Sequence, residues 1–168
     1  MADMTQDLYR ACKRSAWAGS NSAKKETNFA AVHGAGSVYP DYAGFTRSDG
    51  SFRGPDVTSF TDGNGDIFVK GVNETVNSRQ PYRNEGVSLN TSAGKFGYTG
   101  WFYFLLPTGT KIPDSLDVSQ TGNDANHYAL RCVNRMRKDA YEGALDTFAR
   151  AALAKSVEDA RQALYFSA

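Results

Sequence analysis

Six apolar residues in succession, Trp101-Phe102-Tyr103-Phe104-Leu105-Leu106, constrain this chain more than any other stretch. Gly100 and Pro107 bracket the run, and six residues are too few for a stable helix, so the pattern predicts a β-strand covered on both faces. Just upstream, Gly86-Val87-Ser88-Leu89 sets one small hydroxyl between two β-favouring apolar residues. Successive side chains of a strand point to opposite faces, so Ser88 is expected to face away from Val87 and Leu89. A serine placed in this way needs a hydrogen-bond partner or a ligand.

The chain has 168 residues and 40% hydrophobic content. That suffices for one domain burying roughly two-thirds of its unfolded surface, and a single domain over residues 1-168 is expected. Nineteen Lys+Arg against eighteen Asp+Glu leave a net charge of +1, so no global field recommends nucleic acid, a membrane or an acidic substrate. Specificity must come from a local site. Cys12 and Cys132 form neither a CxxC pair nor a metal quartet; free structural thiols are expected, with a disulfide as the other reading and no metal. Neither a basic-then-apolar leader nor an apolar run of membrane-spanning length is present, so no cleavable signal and no membrane partner are expected.

At the start, Leu8-Tyr9-Arg10-Ala11-Cys12 read as a strand places Leu8, Arg10 and Cys12 on one face and Tyr9 and Ala11 on the other. A guanidinium among apolar neighbours is either an edge arginine with its stem laid over Leu8 or a planar clamp for a phosphate or carboxylate. Residues 15–51 are rich in turn formers and predict short pieces joined by loops. Within them, His33-Gly34-Ala35-Gly36 lacks both the third glycine of a dinucleotide fingerprint and the lysine of a phosphate loop. Arg53-Gly54-Pro55-Asp56 predicts a bend whose arginine is a surface partner or a second cation for a ligand with two phosphates. Asp62-Gly63-Asn64-Gly65-Asp66 opens like a calcium loop, but Ile67 stands where the sharp turn wants glycine, so a hairpin between Phe60 and Ile67 is expected.

Alternation over His127–Val133 puts Tyr128, Leu130 and Cys132 on one face and His127, Ala129 and Arg131 on the other. His127 opens that strand, where a side chain is either a structural hydrogen-bonder or a site residue reaching a cleft. Residues 139–164 predict a helix, with Tyr141, Leu145, Phe148 and Ala152 in one apolar stripe. Ser156 with Asp159 is a cap signal for a second, shorter helix. This region is expected to be a packing element and not a site.

Leu8-Tyr9-Arg10-Ala11 and Glu85-Gly86-Val87-Ser88-Leu89, with Ala93-Gly94 beyond, resemble the first two motifs of ADP-ribosyltransferase-fold proteins. Within that group the chain resembles the small NAD-dependent cytoplasmic toxin of the Tse series exported by bacterial type VI secretion. The similarity extends over Arg53 with Pro55-Asp56-Val57, Pro107-Thr108-Gly109-Thr110, Ile112-Pro113, His127-Tyr128 and Gly143–Arg150. It implies an α+β fold with an ADP-ribosyltransferase-like split β-sheet or sandwich core, an irregular N-terminal third and C-terminal helices. It also implies NAD as substrate, a macromolecular acceptor, a cognate immunity protein and action in the cytoplasm.

Carried over by position, the resemblance implies that Arg10 meets the NAD phosphates or ribose, that Ser88 lies beside the nicotinamide riboside, and that Arg53 lines the same cleft. Tyr9 or Tyr128 would stack on the nicotinamide. The glutamate of the family's third motif has no counterpart just before Tyr128, so Gln120, Asp124 or His127 would have to serve. Ser88, His127 and Gln120 are thus the catalytic candidates, and Arg10, Tyr9, Arg53 and Ser88 the NAD-binding ones. Cleavage between nicotinamide and ribose passes through an oxocarbenium-like state, which rewards cations at the pyrophosphate and a fixed ribose. A plain NAD glycohydrolase would use the same residues with water as acceptor. A toxin acting by binding, or on RNA, would use Arg10, Arg53 and His127 with the basic and aromatic residues of 79–96.

Overall fold

A computed structural model describes residues 1–13, 36–72, 86–93 and 101–167. Its largest sheet is built on the two stretches that dominate the sequence reading. Leu8–Lys13 (β1) and Trp101–Leu106 (β7) pair antiparallel along their whole length, Leu8 opposite Leu106 and Lys13 opposite Trp101. Val87–Asn90 (β6) lies on the other side of β1, followed by His127–Cys132 (β9) and Leu116–Gln120 (β8), giving the order β7-β1-β6-β9-β8. The opening strand of the chain is therefore central, and β7 stands at an edge of the described sheet. Phe104 and Leu106 are buried on the core face, and Tyr103 and Leu105 on the other face are partly buried. An apolar run signals coverage of the two faces and says nothing of how many strands lie beside it.

Register fixes the two faces of this sheet. Val87 pairs with Leu130 and Leu89 with Tyr128, so Leu8, Val87, Leu89, Leu130 and Leu106 share the core face, each of them at most 1% exposed. Ser88 faces the other way, as the alternation requires, together with Ala129, His127, Asn90 and Tyr9. Two small sheets flank this one. Ser59–Thr61 (β4) and Ile67–Val69 (β5) form the expected hairpin, with Met136–Arg137 (β10) added to β5. Phe45–Thr46 (β2) pairs with Phe52–Arg53 (β3). The hairpin is closed by Asp62, whose carboxylate accepts the amides of Asn64 and Asp66 at 2.9 Å each, a local turn in place of a calcium loop.

Among the described residues one helix, Lys138–Ser167 (α1), covers the core face. Tyr141, Leu145, Phe148 and Ala152 are fully buried, as the stripe predicts, and each large side chain of this kind contributes roughly 1.5–3 kcal/mol. The second helix expected from Ser156 and Asp159, and with it the plural C-terminal helices, is not found: α1 runs through both residues. Asp159 instead accepts from Lys155 one turn earlier, an i,i+4 pair that supports an unbroken helix. Cys132 is buried outside any disulfide, its thiol donating to the Lys70 carbonyl at 3.3 Å, which removes the disulfide reading, and the side chain of Cys12 lies outside what is described. The glycine-rich stretch around His33 and most of the basic and aromatic stretch from Arg79 fall outside the described residues. No described helix is long and apolar enough to cross a membrane, and no group of three or more His, Cys, Asp or Glu among the described residues is placed to hold a metal ion.

Candidate functional site

The site is organised by the place where the large sheet opens. β1 and β6 pair only at Tyr9 and Asn90, although both strands continue, so the next pairs, Arg10 with Leu89 and Ala11 with Ser88, are not made. Antiparallel strands that stop pairing leave backbone groups that must find other partners. One of them does: Arg10 Nη1 donates to the carbonyl oxygen of Ser88 at 3.3 Å. Arg10 leaves β1 on the core face, among Leu8 and Phe104, where an unpaired cation would be costly.

That cost is met by Asp56. Arg10 Nη2 donates to Asp56 Oδ2 at 3.1 Å and to the Tyr39 carbonyl at 3.2 Å. Arg10 is 14% and Asp56 6% exposed, so this ion pair is shielded from solvent. Asp56 Oδ1 lies 3.5 Å from Arg53 Nη2, and its Oδ2 also accepts the Asp41 amide at 2.8 Å. The Asp56 carbonyl accepts the amide of Gly86 at 2.5 Å, which fastens this loop to the start of β6. Arg53, the most exposed of the three at 42%, thus stands beside Arg10 across one carboxylate.

The Tyr39 turn is held from the helix. Asp146 accepts the Gly36 amide at 2.7 Å and the Tyr39 hydroxyl at 2.8 Å. Burial, then the Asp146 hydrogen bond and its negative charge, push the Tyr39 hydroxyl far above the usual tyrosine range, so it stays a proton donor. The helix is therefore more than packing, because through Asp146 it places the carbonyl that receives Arg10.

On the opposite face, Ser88 Oγ lies 2.6 Å from His127 Nε2, and His127 Nδ1 lies 2.5 Å from Thr121 Oγ1. The two strands make this contact possible, since Ser88 is opposite Ala129 and Asn90 opposite His127, leaving Ser88 and His127 as diagonal neighbours on one face. A neutral imidazole between two hydroxyls donates from one nitrogen and accepts at the other. With Nδ1–H toward Thr121, Nε2 accepts the Ser88 hydroxyl proton. The loop between β8 and β9 holds this geometry, as Thr121 donates its amide to the His127 carbonyl and His127 its own to the Asp124 carbonyl, both at 3.1 Å.

Of the candidates, Ser88 and His127 are brought into direct contact, and Arg10 and Arg53 meet at Asp56. Tyr9 shares the face of Ser88 and His127, whereas Arg10 and Tyr128 lie on the other, so the cation and the hydroxyl meet through the Ser88 backbone. Gln120 stays apart. It pairs with Tyr128 on the face opposite the Ser88 hydroxyl, and its exposed amide donates to the Asp124 carbonyl at 3.4 Å. Sequence reasoning missed Asp56, Thr121, Tyr39 and Asp146. Arg53 and Asp56 at i and i+3 was the one local signal for the first; the others depend on distant pairings.

A third arginine of the site lies on the Ser88 face. Arg131 Nη2 donates to Ser119 Oγ at 2.7 Å and to Asp117 at 3.3 Å, and its stem crosses Gly86. Gly86 has a φ of 135°, and a Cβ there would stand 2.5 Å from Arg131 Cγ. The Gly-x-Ser motif thus needs its glycine for backbone conformation and for room.

The model of the Tse2 ADP-ribosyltransferase toxin family matches residues 6–157, a span that includes every residue of this site. A search of curated proteins found no match. The five-stranded sheet covered by α1 suits the α+β architecture of that family. The match extends over most of the chain, and the chain belongs to the Tse2 ADP-ribosyltransferase toxin family.

Proposed function

We propose that this toxin consumes NAD and transfers the ADP-ribose to a macromolecular acceptor in the cytosol of a target cell, as an effector of type VI secretion restrained by an immunity protein. Family membership supports the transferase chemistry. The observation that carries the NAD site is the junction at Ser88, whose hydroxyl binds His127 at 2.6 Å while its carbonyl receives Arg10. A permanent cation and a hydroxyl–imidazole pair are thereby fixed to one residue at the opening of the sheet.

The residues suit the dinucleotide. Arg10 and Arg53 offer planar, permanently charged donors for a pyrophosphate, and Tyr9 offers a ring on the side of the hydroxyl. Ser88, oriented by His127, would hold the ribose next to the bond that breaks. His127, oriented in turn by Thr121, would take the proton that the acceptor gives up. No metal enters this reading.

The test is release of nicotinamide from NAD in the presence of a cell lysate. Ser88→Ala and His127→Gln are each expected to lower turnover by about 10²-fold or more, the scale of a lost acid–base group. Turnover and toxicity equal to the parent in both variants would reject the site. Hydrolysis with water as acceptor is a second reading, favoured by the placement of Gln120, which points to Asp124 and away from the Ser88 hydroxyl. Mass analysis of the lysate for ADP-ribosyl adducts separates the two.

A further inference from the structure

From Gly86 to Leu89 the chain entering β6 is paired on one side only among the described residues. β9 holds it along that side, whereas β1 meets it at Asn90 and no earlier. Across the open side run backbone ties, the Gly86 amide to the Asp56 carbonyl and the Ser88 carbonyl to Arg10. The face that carries the Ser88 hydroxyl is held differently. The register that pairs Val87 with Leu130 sets Gly86 opposite Arg131, and the Arg131 stem fills the space a Gly86 side chain would take, its Cγ 2.5 Å from where a Cβ would stand. The head of Arg131 is fixed on β8: Nη2 donates to Ser119 Oγ at 2.7 Å and to Asp117 at 3.3 Å, and Ser119 Oγ donates to Asp117 at 2.8 Å. One side chain thus ties β8, β9 and the start of β6 on a single face. Its Nε is buried with no hydrogen-bond partner, a cost that an arginine kept for fold stability alone would avoid by standing in solvent.

We infer that Arg131 is a positioning residue: laid across Gly86 and anchored on β8, it braces the singly paired start of β6 and so keeps the Ser88 hydroxyl against His127. Ser88 follows Gly86 by two residues and points to the same face, so a backbone held at Gly86 sets the origin from which the hydroxyl projects. The contact it serves is short, 2.6 Å from Ser88 Oγ to His127 Nε2, and a hydrogen bond weakens steeply once its partners are misaligned. The brace serves this contact whatever the substrate; its effect on turnover rests on the NAD reading of the site. A side chain serving stability alone would lower the fraction of folded molecules and leave the contact unaltered in those that remain.

The experiment reads the imidazole nitrogens of the isotope-labelled full chain by NMR. The chain has two histidines, His33 and His127, and His127→Gln assigns the resonances of the second. At about pH 9 the imidazole is neutral, and its Nε2 resonance reports the hydrogen bond that nitrogen accepts. Ser88→Ala marks the position with that bond lost. Arg131→Ala is expected to move the resonance at least about half of that distance and to lower nicotinamide release from NAD about tenfold or more. Phe148→Ala, which weakens the core on the other side of the sheet, should leave the resonance in place. A resonance at the parental position in Arg131→Ala, or one moved as far by Phe148→Ala, overturns the inference. Where Arg131→Ala does not fold, Arg131→Met keeps a stem over Gly86 without its anchor; a moved resonance then supports the brace and a parental one overturns it. A moved resonance, with a parent that releases no nicotinamide, upholds the brace and refutes the NAD reading.

Discussion

Replacing Gly86 by alanine tests the local geometry on which Ser88 depends. The residue has a φ of 135°, a region essentially closed to other residues, and occupying it costs an L-residue about 1–3 kcal/mol. The new methyl would meet Arg131 Cγ at 2.5 Å, and Ala129 Cβ and the Leu130 carbonyl at 3.0 Å each. Arg131 can swing away only by giving up Ser119 and Asp117, and the other two atoms belong to β9, which is paired to β6. Crowding of this kind adds about 1–3 kcal/mol. The sum is about 4 kcal/mol, out of the 5–15 kcal/mol typical of a domain. In urea, with a slope of roughly 2 kcal/mol per molar, the unfolding midpoint should fall by about 2 M. Gly63→Ala is the control, because a Cβ there meets nothing within 4 Å, and it should change stability by no more than about 0.5 kcal/mol. A Gly86→Ala midpoint within about 0.3 M of the parent would refute the argument that backbone conformation and space at this motif require glycine.

Other perturbations have equally definite outcomes. Phe148→Ala empties the centre of the helix–sheet core and should cost about 3–5 kcal/mol by denaturant titration. Asp146→Asn removes the charge that holds Tyr39 and Gly36 and should cost about 2 kcal/mol, with a raised KM for NAD because the Tyr39 carbonyl that receives Arg10 is loosened. Glu142 titrates above its ordinary value, chiefly through burial and then through Asp146 and Asp139, with Lys138 opposing. A carboxyl whose pKa is higher in the folded than in the unfolded chain favours folding below its unfolded pKa, and that support is lost as pH rises through the folded value. Glu142→Gln should therefore raise the melting temperature near neutral pH and leave it unchanged at about pH 3.5, below the ordinary glutamate range. A gain of equal size at both pH values would show that the effect is not electrostatic.

The readable parts of the fold were those set by local pattern. Alternation placed Ser88 opposite Val87 and Leu89, put His127 and Arg131 on a different face from Tyr128, and drew the Tyr141–Ala152 stripe, all as found. Asn64-Gly65 announced its hairpin. The order of the strands was not readable, because pairing between β1 and β7 joins residues about a hundred positions apart and leaves no periodic trace. The position of Trp101–Leu106 at an edge escaped for that reason, and Ser156 misled because a serine with a following acid caps some helices and sits inside others. At the site, the sequence marked Arg10, Arg53, Ser88 and His127, residues whose chemistry is conspicuous in isolation. It could not show that Asp56 binds two of them, since a carboxylate after a proline reads as a surface turn until its neighbours are known.

The central place of β1 bears on how the toxin is made. Residues 8–13 leave the ribosome first, but the strand that pairs with them throughout ends at Leu106, and the helix covering their inner side begins at Lys138. At roughly 5–20 residues per second, synthesis separates those events by several seconds or more. For most of that interval the nascent chain has its first arginine and no Ser88 carbonyl, Asp56 carboxylate or Tyr39 turn bound to it. The contacts around Arg10 are thereby completed only late in translation.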